Sequence, residues 1–179
     1  KLEVAIDSRP LEGAGRVEDT FNLLGHAARK IVECAAALNH KTSAEICREA
    51  GIPLLLHSSI KAGLCMDWDD PEQRDSALDR LVSQVASLQQ WIDYHELGED
   101  ETVAQYVRAV AEVHEQDIEY SEGGPKLRDG VARGRRISIE DAEMRHGRKS
   151  SSKRVDGYKE HIALDLSTKL ILACAVTPA

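Results

Sequence analysis

The spacing of apolar residues changes period twice along the chain. Lys1–Asp7 alternates and closes on Asp7-Ser8-Arg9-Pro10, a turn signal, so it reads as a short strand ending in a carboxylate. From Phe21 the period lengthens. Phe21, Leu24, Ala28, Ile31 and Ala35 recur at helical spacing to about Leu38, behind Glu18 and Asp19, whose charge suits a helix start. Thr42-Ser43-Ala44-Glu45 fits a capping box for a second, short helix ending at Gly51. Ile52–Leu56 is an apolar run whose pattern leaves strand and buried helix start both open. Asp69-Asp70-Pro71 opens a long helix reaching about Tyr94, striped by Leu78, Leu81, Val85, Leu88 and Ile92. Glu99–Glu119 carries Val103, Tyr106, Val110 and Val113, and the short connection predicts that these two helices lie antiparallel. Trp91 reads as a packing residue.

Ser121-Glu122-Gly123-Gly124-Pro125 ends the helical region. Beyond it Arg136–Glu140 alternates briefly, as a short strand would. Tyr158–Asp165 and Leu170–Thr177 are strands joined by Leu166-Ser167-Thr168-Lys169, a length that fits a hairpin. Glu12-Gly13-Ala14-Gly15-Arg16 lacks the rest of a phosphate-cradling motif and reads as a flexible connector. The expected organisation is α/β in three stretches: 1–17 as first strand and loop, 18–122 as a helical region, and 123–179 as a basic loop and β-hairpin. The start at Lys1 and the stop at Thr177-Pro178-Ala179, just after a strand, suggest a fragment of a longer protein.

Charge changes this picture. The net formal charge of -8 alone argues against a nucleic-acid binder. Its distribution reverses that: 66–122 carries 16 acidic and 3 basic side chains, whereas 123–161 carries 11 basic and 6 acidic ones. A basic patch docked on the acidic block would explain the same pattern without nucleic acid. No apolar run approaches the ~20 residues of a membrane span, and no leader is recognisable, so a cytoplasmic location is expected. Cys34, Cys47, Cys65 and Cys174 form no C-x-x-C pair; Cys34 and Cys174 sit in apolar runs, as buried reduced thiols do.

Candidate chemistry lies at the two ends. Arg145, His146, Arg148, Lys149, Lys153 and Arg154, with Ser150, Ser151 and Ser152 between them and Lys159 beyond, offer guanidinium forks, ammonium groups and hydroxyls suited to phosphate oxygens. Asp7 at a strand end is placed to hold Mg²⁺, a hard cation that takes oxygen ligands; an Asx turn before Pro10 is the plainer reading. Asp165 and Asp156 read as turn residues. Glu140, Asp141 and Glu143, next to the basic loop, read as ion-paired. Ser8 has no nucleophile elbow around it, and no Ser-His-Asp or Cys-His arrangement is recognisable.

Asp7 through Thr20, Glu143-Met144-Arg145-His146-Gly147-Arg148-Lys149-Ser150, Asp156-Gly157-Tyr158-Lys159 and the ending Ala175-Val176-Thr177-Pro178-Ala179 together resemble bacterial insertion-sequence transposases of the DDE type. The resemblance implies a partial ribonuclease-H-like sheet with a large α-helical insertion between the first strand and the later hairpin. It implies that Asp7 is the first of three metal-binding acids, with the second Asp and the Glu beyond Ala179, so that this stretch alone holds an incomplete site. It further implies two Mg²⁺ ions in the complete site, DNA partners (element ends and target), a homo-oligomer assembled on DNA, and backbone contacts from Arg145, His146, Arg148, Lys149, Lys153, Arg154 and Lys159. The implied activity is cleavage and strand transfer by attack on phosphodiesters. A related metal-dependent nuclease, or a non-catalytic DNA-binding or protein-interaction remnant of a decayed element, are the rival readings.

Overall fold

The computed structural model describes residues 3–148 and 150–179. The chain is mixed α/β and divides into two compact units. One joins 1–17 to 133–179; the other is Glu18–Ala132.

The first unit is an antiparallel sheet. β1 (Val4–Glu12) pairs with the long central strand β5 (Arg154–Asp165) from Val4 opposite Asp165 to Glu12 opposite Gly157. Along the other edge of β5 lie β4 (Arg145–Arg148) and β6 (Ile171–Pro178), end to end. Ala179 N–H donates to Gly157 O at 3.0 Å where they meet. β1 runs well past Asp7, because nothing in Ser8-Arg9-Pro10 breaks a strand on its outer edge: Pro10 there need not donate a ladder hydrogen bond. Asp7 therefore sits in mid-strand rather than at a strand end.

The stretch after β1 is packed, not loose. A Cβ on Gly13 would lie 2.5 Å from Met144 Sδ, and one on Gly15 2.5 Å from Ser138 Oγ. Gly157 has φ +150°, and a Cβ there would fall 2.3 Å from the Gly13 nitrogen. Only glycine allows that approach. Asp156 thus lies inside β5 beside this kink, not in a turn. Arg136–Glu140 forms no strand: Ile137, Ser138 and Ile139 are buried, and the Arg136 guanidinium donates to the carbonyls of Ser138 (2.9 Å) and Ile139 (3.2 Å). The arginine satisfies the backbone that a neighbouring strand would otherwise satisfy.

The second unit is helical. α1 (Thr20–Leu38) is its hub; α2 (Ser43–Glu49), a 3₁₀ turn (Pro53–Leu56), α3 (Ile60–Leu64), α4 (Pro71–Tyr94) and α5 (Glu101–Asp117) follow. The expected capping box on α2 is present: Thr42 Oγ accepts from Glu45 N–H, and Glu45 reaches back to Thr42 N–H. Ile52–Leu56 resolves as the 3₁₀ turn, whose first turn Pro53 favours. Leu23, Leu24, Ile46, Leu78, Leu81, Leu88 and Ile92 are buried. A short hairpin, β2 (Ile118–Ser121) and β3 (Gly124–Leu127), closes the unit around the two-residue turn Glu122-Gly123. The sequence pattern ends the helical region at 122, within that turn; β3 extends the pairing to Leu127, and the compact unit runs on to Ala132. α4 and α5 both pack on α1 and meet each other little, so the expected helical pair is splayed.

Gly25 lies inside α1 against α3: a Cβ there would meet Ile60 Cγ1 at 2.2 Å. Gly25→Ala improves helix propensity by about 1 kcal/mol, yet overpacks a tight contact. The expected net result is destabilisation by about 1–3 kcal/mol, read from denaturant unfolding followed by helical circular dichroism; a more stable variant would disprove the close contact.

Candidate nucleic-acid interface

Strand pairing decides which side chains share a face, because successive residues point to opposite sides. Asp7 stands opposite Ile162, and Ser8 opposite His161. Asp7, Arg9, Glu160 and Cys174 therefore lie on one face. Ser8, Pro10, Lys159 and His161 lie on the other.

On the second face Ser8 Oγ is 2.6 Å from His161 Nδ1, and His161 Nε2 is 3.0 Å from Thr177 Oγ1. The imidazole bridges β1 and β6 across β5. Beside it a cavity of about 170 Å³ is lined by Ser8, Pro10, Arg148, Val155 and Lys159. Ser8 and the cationic residues Lys159 and Arg148 thus border one depression, Arg148 from the strand end opposite Arg154, a lining whose composition suits an oxyanion such as a phosphate. His161 orients the Ser8 hydroxyl. When His161 donates from Nδ1, Ser8 O–H is free to donate outward; in the other tautomer it is consumed by the ring. Sequence reasoning missed this pairing, since Ser8 and His161 lie far apart in the chain and meet only through register.

The remaining cations of the basic segment are differently employed. Arg145 turns back to the carbonyls of Ala142 (2.5 Å) and Met144 (2.9 Å). His146 Nδ1 pairs with Asp156 Oδ1 at 2.5 Å, which offsets its charge when protonated. Lys153 and Arg154 are exposed at the β4–β5 hairpin end. Lys149 lies outside the described residues. Among the described residues expected to hold DNA, Arg148 and Lys159 line one cavity together.

Asp7 is exposed, and one of its oxygens accepts the N–H of Ser8 at 2.8 Å. Glu160 shares its face but is ion-paired to Arg9. Among the described residues no three His, Cys, Asp or Glu side chains gather as a metal site. Asp7 fits as a single oxygen ligand for Mg²⁺; these residues do not frame a two-ion centre on their own. Asp7 and the Ser8, Pro10 and Lys159 lining of that cavity lie on opposite faces of the sheet.

The other acids are structural. Asp141, expected to be ion-paired, accepts the Tyr158 hydroxyl, together with the N–H groups of Met144 (3.2 Å) and Glu143 (3.3 Å). That hydrogen bond to a carboxylate, with some desolvation, pushes Tyr158 up to about 12. Asp165 closes the β5–β6 turn, accepting from Ser167 N–H (3.1 Å) and from Thr168 N–H (3.3 Å) and O–H (2.6 Å); the Thr168 hydroxyl is the largest influence holding its pKa below the usual carboxylate value. Cys174 is exposed and Cys34 half-buried, contrary to expectation, while Cys47 is buried and its pKa raised by desolvation. The run around Cys174 is apolar, but β6 is exposed along its length.

No family model, curated protein or solved structure matches this chain. Among the described residues no helix is long and apolar enough to cross a membrane.

The protonated Tyr158 hydroxyl is favoured by folding, so its contribution is full below the unfolded phenol value near 10 and is lost as pH rises towards 12. In an absorbance titration of the folded protein, Tyr158→Phe should remove the ionisation step near 12. Persistence of that step would show that another group gives rise to it.

Proposed function

We propose that the chain is part of a DNA transposase, in which the sheet unit holds a DNA backbone at Ser8, Arg148 and Lys159 while Asp7, on the opposite face, supplies one oxygen ligand to Mg²⁺. The observation that carries this reading is a cavity lined by two cationic residues and by Ser8, whose hydroxyl His161 contacts, on the strand that bears Asp7. The order β1-β5-β6, all antiparallel, supports a partial ribonuclease-H-like sheet, with the helical unit inserted in sequence between β1 and the later strands. Magnesium, when bound, would polarise a phosphodiester and activate the attacking oxygen.

The chain's own residues set the handling of DNA. Arg148 and Lys159 neutralise phosphate charge without reading bases, which gives binding on many sequences. Ser8 donates to a phosphate oxygen when His161 adopts the tautomer that leaves its hydroxyl free. The phosphates gripped in this cavity are not the one that meets Asp7, because the sheet lies between them. The two faces engage different segments of the nucleic acid.

Neutralising both cations (Arg148→Gln with Lys159→Gln) should weaken binding to unrelated duplexes alike and lower the salt slope of log K by about two. A loss confined to one sequence would mean base reading instead. In the full-length protein, Asp7→Asn should abolish strand cleavage with DNA affinity nearly unchanged; retained cleavage would remove Asp7 from the metal site.

A further inference from the structure

The splay of α4 and α5 leaves a groove in the helical unit that the DNA-handling reading does not use. Its floor is Leu24 of α1; one wall is Val82, Val85, Ala86 and Gln89 of α4, the other Val107, Val110, Ala111 and His114 of α5, and Tyr120 of β2 closes an end. The cavity encloses about 320 Å³, within the range of specific ligand sites. Its lining is apolar except at Gln89 and at the hydrogen-bonded pair His114 Nε2 and Tyr120 O–H, 2.9 Å apart.

Two features define the occupant. The first is length. The stripe from Val82 to Gln89 rises about 10 Å along α4 at 1.5 Å per residue, or two helical turns, which matches side chains presented at i, i+3, i+4 and i+7. Ala86 and Ala111, both exposed, keep the mouth wide between the walls. The second is charge. Helical spacing continues the α4 stripe into Asp75 and Asp79 at one end and Asp93 at the other. Asp93 accepts from Gln89 within the wall itself, at 2.8 Å. Glu115 follows His114 on α5, exposed; the one arginine on that rim, Arg108, is ion-paired to Glu101 at 2.7 Å. Lys126 approaches Asp75 at 3.8 Å, but Asp79 and Asp93 face solvent.

We propose that the α4–α5 groove binds the apolar face of a basic amphipathic helix from a partner protein, with Asp79, Asp93 and Glu115 contacting its cationic flanks. The apolar walls supply the affinity, and the acidic rim selects against acidic helices and speeds association at low salt.

The test uses the whole chain and a labelled synthetic peptide of about four turns, built of leucine at i, i+3, i+4 and i+7 with lysine elsewhere, against a scrambled peptide of the same composition. Fluorescence anisotropy should give at least tenfold tighter binding for the amphipathic order. Ala86→Leu with Ala111→Leu fills the mouth and should weaken that binding about tenfold; both positions are exposed, and circular dichroism checks that the fold is kept. Asp79→Asn with Asp93→Asn should lower the salt dependence while leaving the preference for the ordered peptide. Equal binding of the two peptides would overturn the proposal by showing plain charge attraction. Undiminished binding to the filled groove would overturn it by placing the peptide elsewhere. Self-association that the filling variant abolishes, without peptide binding, would replace the partner helix by a second copy.

Discussion

The pairing of β1 with β5 is the constraint on which the rest of the sheet unit depends. It joins segments about 150 residues apart in sequence and it fixes which side chains act together. A slip of one residue would exchange the faces, bringing Asp7 to the side of His161 and Lys159 and sending Ser8 to the side of Glu160. The register is pinned at both ends. Gly13 N–H reaches Asp156 O at 2.8 Å past Glu12, and Leu166 N–H reaches Glu3 O at 2.8 Å past Val4. Gly157 is the close-packed point between them, where a side chain would strike the backbone of Leu11 and Gly13. Ser8–His161 and Arg9–Glu160 then lock the two faces separately.

Much of the helical unit was legible in the sequence because local rules decided it. The α1 and α4 stripes, the Thr42–Glu45 capping box and Asp70 before α4 are signals carried within one or two turns, and the structure uses them as N-caps or largely buried faces; Asp100, the N-cap of α5, was not read from the sequence. The site was less legible for a physical reason. Asp7 reads as a strand end because Pro10 follows, and only the partner strand shows that β1 continues. Ser8 and His161 carry no local sign of each other. The basic segment looked like a uniform phosphate grip, yet Arg145 and His146 are engaged by nearby carbonyls and by Asp156. Which cations stay available depends on the hairpin's own hydrogen bonding, which composition does not encode.

The acidic block takes on a definite form as well. Its carboxylates are partly consumed as helix caps, with Asp70 and Asp100 held low chiefly by the Gln73 and Thr102 side chains and then by the N–H groups that follow them. Others lie along an apolar groove. The sheet unit carries its own unusual surface: Ile6 is 75% exposed and Ile171 65%, so its strands present apolar side chains to solvent on both sides. Each unit thus combines a charged region with an apolar surface, and the charge has opposite sign in the two.

The most direct measurement is thiol protection by bound DNA. In a background where Cys34, Cys65 and Cys174 are replaced, single cysteines at Pro10 and at Asp7 report the two faces of one strand. In metal-free buffer, saturating duplex DNA should slow alkylation at position 10 strongly and leave position 7 nearly unaffected. Protection of position 7 with position 10 still reactive would contradict the account, because it would place the DNA backbone on the wrong side of the sheet.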